Sequence, residues 1–216
     1  MIIMATNTNW LKCKTGPVVL TEGTNDCHVI VALCQAHSVP HEFGFYSCDS
    51  DNQAIQRFRL LLNGSDCPEK LAIVLDADAP NLASRWNCLS KILTSKGYQV
   101  PETPTPEGTI LTDDNLPRVG VWLMPDNTVD GMLEDFCMKL AAEASFGEVQ
   151  TFLDSAKQSG LANYKDVHNS KALIHCYLAT QDEPGSPLGL AITKKVLSPD
   201  QPSAHIFTNW LKSVFC

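Results

Sequence analysis

The chain has few positive charges and no long apolar segment. Its 216 residues include 16 Lys and Arg against 24 Asp and Glu, which gives a formal net charge of −8. This balance excludes a protein that binds polyanions through its overall charge alone. No run approaches eighteen consecutive apolar residues, so the sequence predicts neither a membrane span nor a membrane partner. Hydrophobic residues make up 44% of the chain, a proportion typical of a folded protein.

Cysteine motifs typical of zinc sites are missing. The nine cysteines form no CxxC pair and no Cys/His spacing that would hold zinc. A chain of this length can bury a core without disulfides. We therefore interpret the cysteines as small buried residues and free thiols, and we expect a cytoplasmic protein.

Apolar runs and helical patterns alternate over the first 130 residues. The runs at 18–20, 43–46, 71–75 and 119–124 are typical of strands, and a helical pattern follows each of the first three. A proline-rich stretch adds a candidate edge strand at 108–112. This order predicts an α/β fold with a mostly parallel, Rossmann-like sheet flanked by helices. Only helical patterns follow, so we predict an α/β domain at 1–130 and a helical extension at 131–216 packed on the same core.

Acidic residues follow three of the four predicted parallel strands. The candidate metal ligands are Glu22, Asp26, Asp76, Asp78, Asp126 and Glu134. The carboxyl ends of parallel strands meet at one edge of a sheet, where ligands bind in open α/β folds. Converging carboxylates repel each other by about 1 kcal/mol per pair in water, and by more in a dry cleft, unless a cation neutralises them. Ligation by oxygen alone favours Mg²⁺, Mn²⁺ or Ca²⁺ over Zn²⁺.

The turn after the first predicted strand is a candidate phosphate site. Gly23 would let the backbone approach a phosphate, and the start of the following helix, with Thr24 and Asn25, offers backbone N–H groups. Simpler interpretations stay open at this point. Asp26 is also a typical helix cap, and Asp126 lies in a Pro-Asp-Asn sequence typical of a turn.

Two of these segments together resemble a known family. Glu22-Gly23-Thr24-Asn25-Asp26, followed about fifty residues later by Leu75-Asp76-Ala77-Asp78, resembles the Toprim domain of topoisomerases, bacterial primases and OLD-type nucleases. The resemblance covers roughly residues 17–130. The segments 122–127 and 133–135 are similar to those of short stand-alone bacterial proteins related to Toprim.

The resemblance implies a role for each matching residue. Glu22 would be a general base or acid, or a metal ligand, and Asp76 and Asp78 would hold Mg²⁺ or Mn²⁺. Asp26 matches the second acid of OLD-type nucleases. Those nucleases also use a lysine beyond the acidic strands, and Lys171, on a helix predicted to begin at 168–170, is our catalytic candidate.

The resulting expectation is a divalent-metal-dependent phosphodiesterase, a nuclease that acts on DNA or RNA. The resemblance further implies an ATPase partner in a bacterial defence system, and we also consider a homo-oligomer. Because the chain is acidic, nucleic acid needs either a partner protein or a local basic rim. The candidates for that rim are Arg57, Arg59, Lys91, Lys96, Lys171, Lys194 and Lys195.

Two alternatives stay open. One is a non-catalytic regulatory module that binds a nucleotide or a metal in the same pocket. The other is a phosphatase of the haloacid dehalogenase type, because Leu75-Asp76-Ala77-Asp78 also resembles that family's nucleophile motif. In that family the motif usually opens the chain, whereas here a strand and helix with Glu22 precede it.

Overall fold

The computed structural model describes residues 11–78, 80–141 and 146–216. Residues 1–10, with which the predicted α/β domain begins, lie outside this range. A five-stranded sheet forms the centre of the described chain. Its strands are β1 (Val18–Thr21), β2 (Gly44–Ser47), β3 (Lys70–Asp76), β4 (Thr109–Asp113) and β5 (Leu116–Met124). They lie in the order β2-β1-β3-β5-β4, with all neighbours parallel except the edge strand β4, which runs antiparallel to β5. The predicted α/β fold is confirmed.

Eight α-helices accompany the sheet in the described residues. They are α1 (Thr24–Ala36), α2 (Asp51–Asn63), α3 (Leu82–Lys96), α4 (Leu133–Met138), α5 (Phe146–Gln158), α6 (Asn169–Ala179), α7 (Leu188–Thr193) and α8 (Pro202–Phe215). A 3₁₀ turn at Asp166–His168 precedes α6. The sequence pattern did not predict α7, because its six residues are too few to show a helical period.

The central strands are buried on both faces. Side chains alternate along each strand, so Val19, Val74 and Trp122 pack with α1, α4, α7 and α8. Their neighbours Leu20 and Ile73 point the other way and pack with α2 and α3. This double burial explains why the strands appear in the sequence as continuous apolar runs.

The last helix completes one side of the core. In α8, Phe207, Trp210 and Leu211 are buried against the sheet, and the ring of Phe207 meets that of Trp122 edge-to-face at 4.9 Å. The indole N–H of Trp210 donates to the carbonyl oxygen of Thr109 at 3.2 Å. In the part of the chain that the structure describes, no helix is both long and apolar enough to cross a bilayer.

Gly120 in β5 lets α8 approach the sheet closely. A Cβ atom there would lie 2.6 Å from Cγ2 of Val214 and 3.0 Å from Cζ2 of Trp210. We expect Gly120→Ala to lower the free energy of unfolding by about 2 kcal/mol in urea titrations, because the added methyl overpacks the core.

The matched test of this close approach is the variant Val214→Ala, which makes room for the new methyl group. The double variant Gly120→Ala/Val214→Ala should lose about 1 kcal/mol less of the free energy of unfolding than the two single variants lose together. Strict additivity would contradict the proposed clash between Gly120→Ala and Val214.

Candidate functional site

A cleft opens at the carboxyl edge of the sheet, between β1 and β3. The helix that follows β1 packs on one face of the sheet, and the helix that follows β3 packs on the other. The two strand-to-helix connections therefore leave the sheet in opposite directions, with the cleft between them. Ligands bind at such a divergence in open α/β sheets. The cleft has a volume of about 370 Å³. It is lined by Glu22, Gly23, Thr24, Asn25, Asp26, Asp49, Ser50, Asp76, Leu133, Glu134 and Lys171.

Hydrogen bonds join the two central acids of the cleft. The backbone N–H of Asp76 donates to Oε1 of Glu22 at 2.8 Å. The backbone N–H of Leu133 donates to Oδ1 of Asp76 at 2.9 Å. These bonds tie together the ends of β1 and β3 and the start of α4. Glu22 and Asp76, 54 positions apart in the sequence, are therefore direct neighbours.

Asp26 both caps α1 and lines the cleft. Its side chain is buried, and its Oδ2 accepts a hydrogen bond from the backbone N–H of Gly23 at 3.0 Å. This bond occupies the N–H of Gly23, the residue at which the backbone was predicted to approach a phosphate. Thr24 and Asn25 lie in the first turn of α1, where a helix leaves backbone N–H groups without intrahelical partners.

Burial and mutual repulsion raise the pKa of three of these carboxyl groups. Desolvation, followed by the charges of Asp26 and Glu22, raises the pKa of Asp76 to about 9. Desolvation also raises the pKa of Glu22 to about 7 and that of Asp26 to about 6, against the opposing effect of their backbone hydrogen bonds. The cleft therefore holds protons that ordinary carboxyl groups would have lost at neutral pH.

Glu134 and Lys171 bring the C-terminal helices to the cleft. Glu134 in α4 is buried, and its Oε1 lies 3.3 Å from Nζ of Lys171 in α6. The Lys171 side chain is half exposed at the mouth. Of the basic residues predicted to rim the site, Lys171 alone lines this cleft in the described chain.

Two predicted ligands lie outside the cleft lining. Asp126 accepts a hydrogen bond from the Thr128 hydroxyl at 2.7 Å and pairs with the Lys139 ammonium group. These bonds outweigh partial burial and lower the pKa of Asp126. In this structure its carboxylate therefore serves a turn and an ion pair, and its role as a metal ligand stays a prediction. Asp78 is half-buried in the turn after β3, and its charge contributes to the raised pKa of Asp76.

Arg85 in α3 is a site residue that the sequence interpretation missed. It is buried, its Nε donates to the carbonyl oxygen of Asp76 at 3.1 Å, and its Nη2 lies 3.0 Å from Oδ2 of Asp51. The sequence pattern could have indicated Arg85, because it lies at helical spacing from Leu89 and Ile92 and therefore on the buried face of α3. An arginine in such a stripe needs a buried partner.

Asp49 and Ser50 were missed as well. They follow β2 at the same edge of the sheet and line the cleft. The rule that selected the acids after the other parallel strands would have selected Asp49 too.

The donor chemistry of the cleft fits a hard divalent cation. Glu22, Asp26, Asp76 and Glu134 supply carboxylate oxygens only, and such ligands favour Mg²⁺ or Mn²⁺. Within residues 11–78, 80–141 and 146–216, no three His, Cys, Asp or Glu side chains lie close enough to share one ion. Ion binding therefore requires these side chains to move closer together, against a repulsion that the ion itself would neutralise.

Comparison with known proteins defines the family. Residues 16–216 match the family described as "Protein of unknown function (DUF3226)", and the chain belongs to this family. No curated protein and no solved structure matches the chain.

Proposed function

We propose that the chain is a divalent-metal-dependent phosphodiesterase that hydrolyses nucleic acid. The observation that carries this proposal is the gathering of Glu22, Asp26, Asp76 and Glu134 in one cleft, with Glu22 bonded to the backbone of Asp76. Several carboxylates buried close together destabilise a fold unless a positive charge neutralises them. The resemblance of the Glu22–Asp26 and Leu75–Asp78 segments to the Toprim domain supports the same chemistry.

Glu22, Asp26, Asp76 and Glu134 are the residues that would hold Mg²⁺ or Mn²⁺. A cation bound there supplies Lewis acidity toward water and offsets the charge that develops on a phosphoryl group. Glu134 is paired with Lys171 in the described structure, so Lys171 would be released toward the phosphate when Glu134 binds the cation.

The chain's own residues bind the substrate and move protons. Oε1 of Glu22 is occupied by the N–H of Asp76, so Oε2 is the atom that would accept or return a proton. As long as Glu22 does not ligate the cation, its pKa of about 7 suits a group that exchanges protons near neutral pH. Lys171, at the mouth, would orient the phosphate, together with the backbone N–H groups of Thr24 and Asn25.

The experiment compares wild type with Glu22→Gln on labelled single- and double-stranded DNA and RNA in Mg²⁺, Mn²⁺ or EDTA. We expect cleavage that needs the metal and falls at least 100-fold in Glu22→Gln, because loss of a positioned acid or base typically costs 10²–10⁴-fold. Glu42→Gln is the matched control, because Glu42 is exposed and lies outside the cleft lining. Intact substrates under all metal conditions, with and without an ATPase partner, would refute the proposal.

A regulatory module that binds a metal or a nucleotide without turnover is the second candidate. The ion pair between Glu134 and Lys171 favours it, because Lys171 itself neutralises one acid of the cleft. Calorimetric titration with Mn²⁺ separates the two functions. Tight binding that Glu22→Gln weakens, without cleavage of any diester or of a simple phosphate monoester, would select this candidate over both the nuclease and a phosphatase.

A further inference from the structure

We propose that Lys12 and Arg57, around the ring of Tyr46, form a contact site for the sugar–phosphate backbone of a nucleic acid strand. This inference rests on the proposed function and deepens it, because it names a polynucleotide rather than a mononucleotide or a small phosphate ester as substrate. The strand would place one phosphate in the cleft and a neighbouring stretch across β2.

Two cations meet at one aromatic ring on this edge of the sheet. Cζ of Arg57 lies 3.6 Å from the centroid of the Tyr46 ring, and Nζ of Lys12 lies 5.1 Å from the same point. Lys12 forms an antiparallel bridge with Tyr46, and the next residue, Cys13, donates its N–H to the carbonyl oxygen of Phe45 at 2.8 Å. The segment thus runs along the outer edge of β2 and concentrates positive charge on a chain whose net charge is −8.

Arg57 is held in place but has no anionic partner. No carboxylate in the described part of the chain pairs with its guanidinium group, and its buried Nε has no hydrogen-bond partner there. The Tyr46 ring orients the group through a cation–π contact. A guanidinium fork that is fixed and unpaired suits bidentate binding of a phosphate.

Lys12 can exchange its carboxylate partner, Asp49, for a phosphate. Its Nζ donates to the carbonyl oxygen of Ser47 at 2.5 Å and lies 3.3 Å from Oδ2 of Asp49, and the side chains of Lys12 and Asp49 are 43% and 68% exposed. An exposed pair of this kind contributes at most about 1 kcal/mol, so a phosphate can replace Asp49 at little cost.

The contact site formed by Lys12 and Arg57 lies next to the cleft. Tyr46 is in register with Leu20, two residues before Glu22 on the neighbouring strand. Asp49, the partner of Lys12, itself lines the cleft. Adjacent strands lie about 4.8 Å apart, so a nucleic acid strand that leaves the cleft across β2 passes Lys12 and Arg57.

The test measures fluorescence anisotropy of labelled 20-nucleotide DNA and RNA strands in Ca²⁺ at several salt concentrations. The variant Lys12→Gln/Arg57→Gln keeps the first two methylene groups of each side chain and removes both charges. Each phosphate contact contributes about 0.7 to the slope of log K against log salt, so we expect the slope to fall by about 1.4 and the affinity at 0.1 M salt by about 25-fold. Separate DNA and RNA titrations show which backbone is preferred.

Arg118→Gln/Lys212→Gln is the matched control, because it also removes one arginine and one lysine. Arg118 lies at the start of β5 and donates to the carbonyl oxygen of Ser213, and Lys212 lies in the last turn of α8, so both are at the edge of the sheet opposite the cleft. It should change the affinity less than twofold, and thermal melting should show that both double variants are folded. Absence of binding by wild type, or an equal salt slope in Lys12→Gln/Arg57→Gln, would overturn the inference. Binding through these residues without cleavage would refute only the proposed hydrolysis.

Discussion

Asp76→Asn should abolish metal-dependent cleavage and at the same time stabilise the metal-free protein. The substitution removes one carboxylate of the cleft but keeps an oxygen that can accept the hydrogen bond from the N–H of Leu133. We expect activity to fall at least 1,000-fold, which corresponds to about 4 kcal/mol of transition-state stabilisation. Assays of the labelled substrates in Mn²⁺ measure this loss.

The gain in stability follows from the charges around Asp76. Desolvation and the neighbouring acids raise its pKa to about 9, so the fold must keep a proton on it at neutral pH. A neutral amide avoids that cost, and we expect the free energy of unfolding at pH 8 to rise by about 2 kcal/mol. The melting temperature of a chain of this size would then rise by about 4–8 °C in EDTA. A purely structural role for Asp76 would predict destabilisation instead.

Asp126→Asn is the control for Asp76→Asn, because it makes the same chemical change at an acid outside the cleft. Asp126 is paired with Lys139, so its substitution should lower stability by up to about 1 kcal/mol and leave cleavage within twofold of wild type. If both variants lost activity equally, the cleft between β1 and β3 would not be the catalytic site.

The layout of the sheet could be predicted from the sequence because local patterns determine it. Continuous apolar runs such as Leu71–Leu75 mark strands buried on both faces, and the alternation of strands with helices predicts parallel pairing. The same logic placed Glu22 and Asp76 at one edge. Their direct contact through the Asp76 N–H confirms that the two strand ends meet.

Other features of the site depend on contacts that no local pattern encodes. Asp126 pairs with Lys139, thirteen residues further on, and no local pattern predicts that partner. Arg85 became part of the site only because α3 brings it against the carbonyl oxygen of Asp76 and the side chain of Asp51. The pairing of Lys171 with Glu134 likewise depends on the packing of α6 against α4. Such long-range partners decide whether a polar side chain serves the fold or the ligand.

The metal-free protein should lose stability as the pH rises from about 4 to 9. The folded-state pKa values of Asp26, Glu22 and Asp76 are about 6, 7 and 9, all above the ordinary values of 3.8 to 4.5. Between the ordinary and the raised values the folded state binds more protons than the unfolded state, so the free energy of unfolding falls with increasing pH. Each extra bound proton gives a slope of about 1.4 kcal/mol per pH unit. Between pH 6 and pH 8 Asp76 keeps its extra proton and Glu22 loses its own, so we expect a loss of about 4 kcal/mol in urea titrations in EDTA.

A bound cation should reverse this dependence, because its ligands must be deprotonated. Mg²⁺ or Mn²⁺ should raise the melting temperature more at pH 8 than at pH 6, with release of protons on binding. Glu22→Gln/Asp76→Asn should flatten the pH dependence in EDTA and remove most of the stabilisation by the metal. A wild-type protein whose stability in EDTA is constant between pH 6 and 8 would show that these acids are not crowded as described. Stabilisation by the metal that persists in the double variant would place the cation elsewhere. The two measurements thus test the electrostatic basis of the site without depending on any substrate.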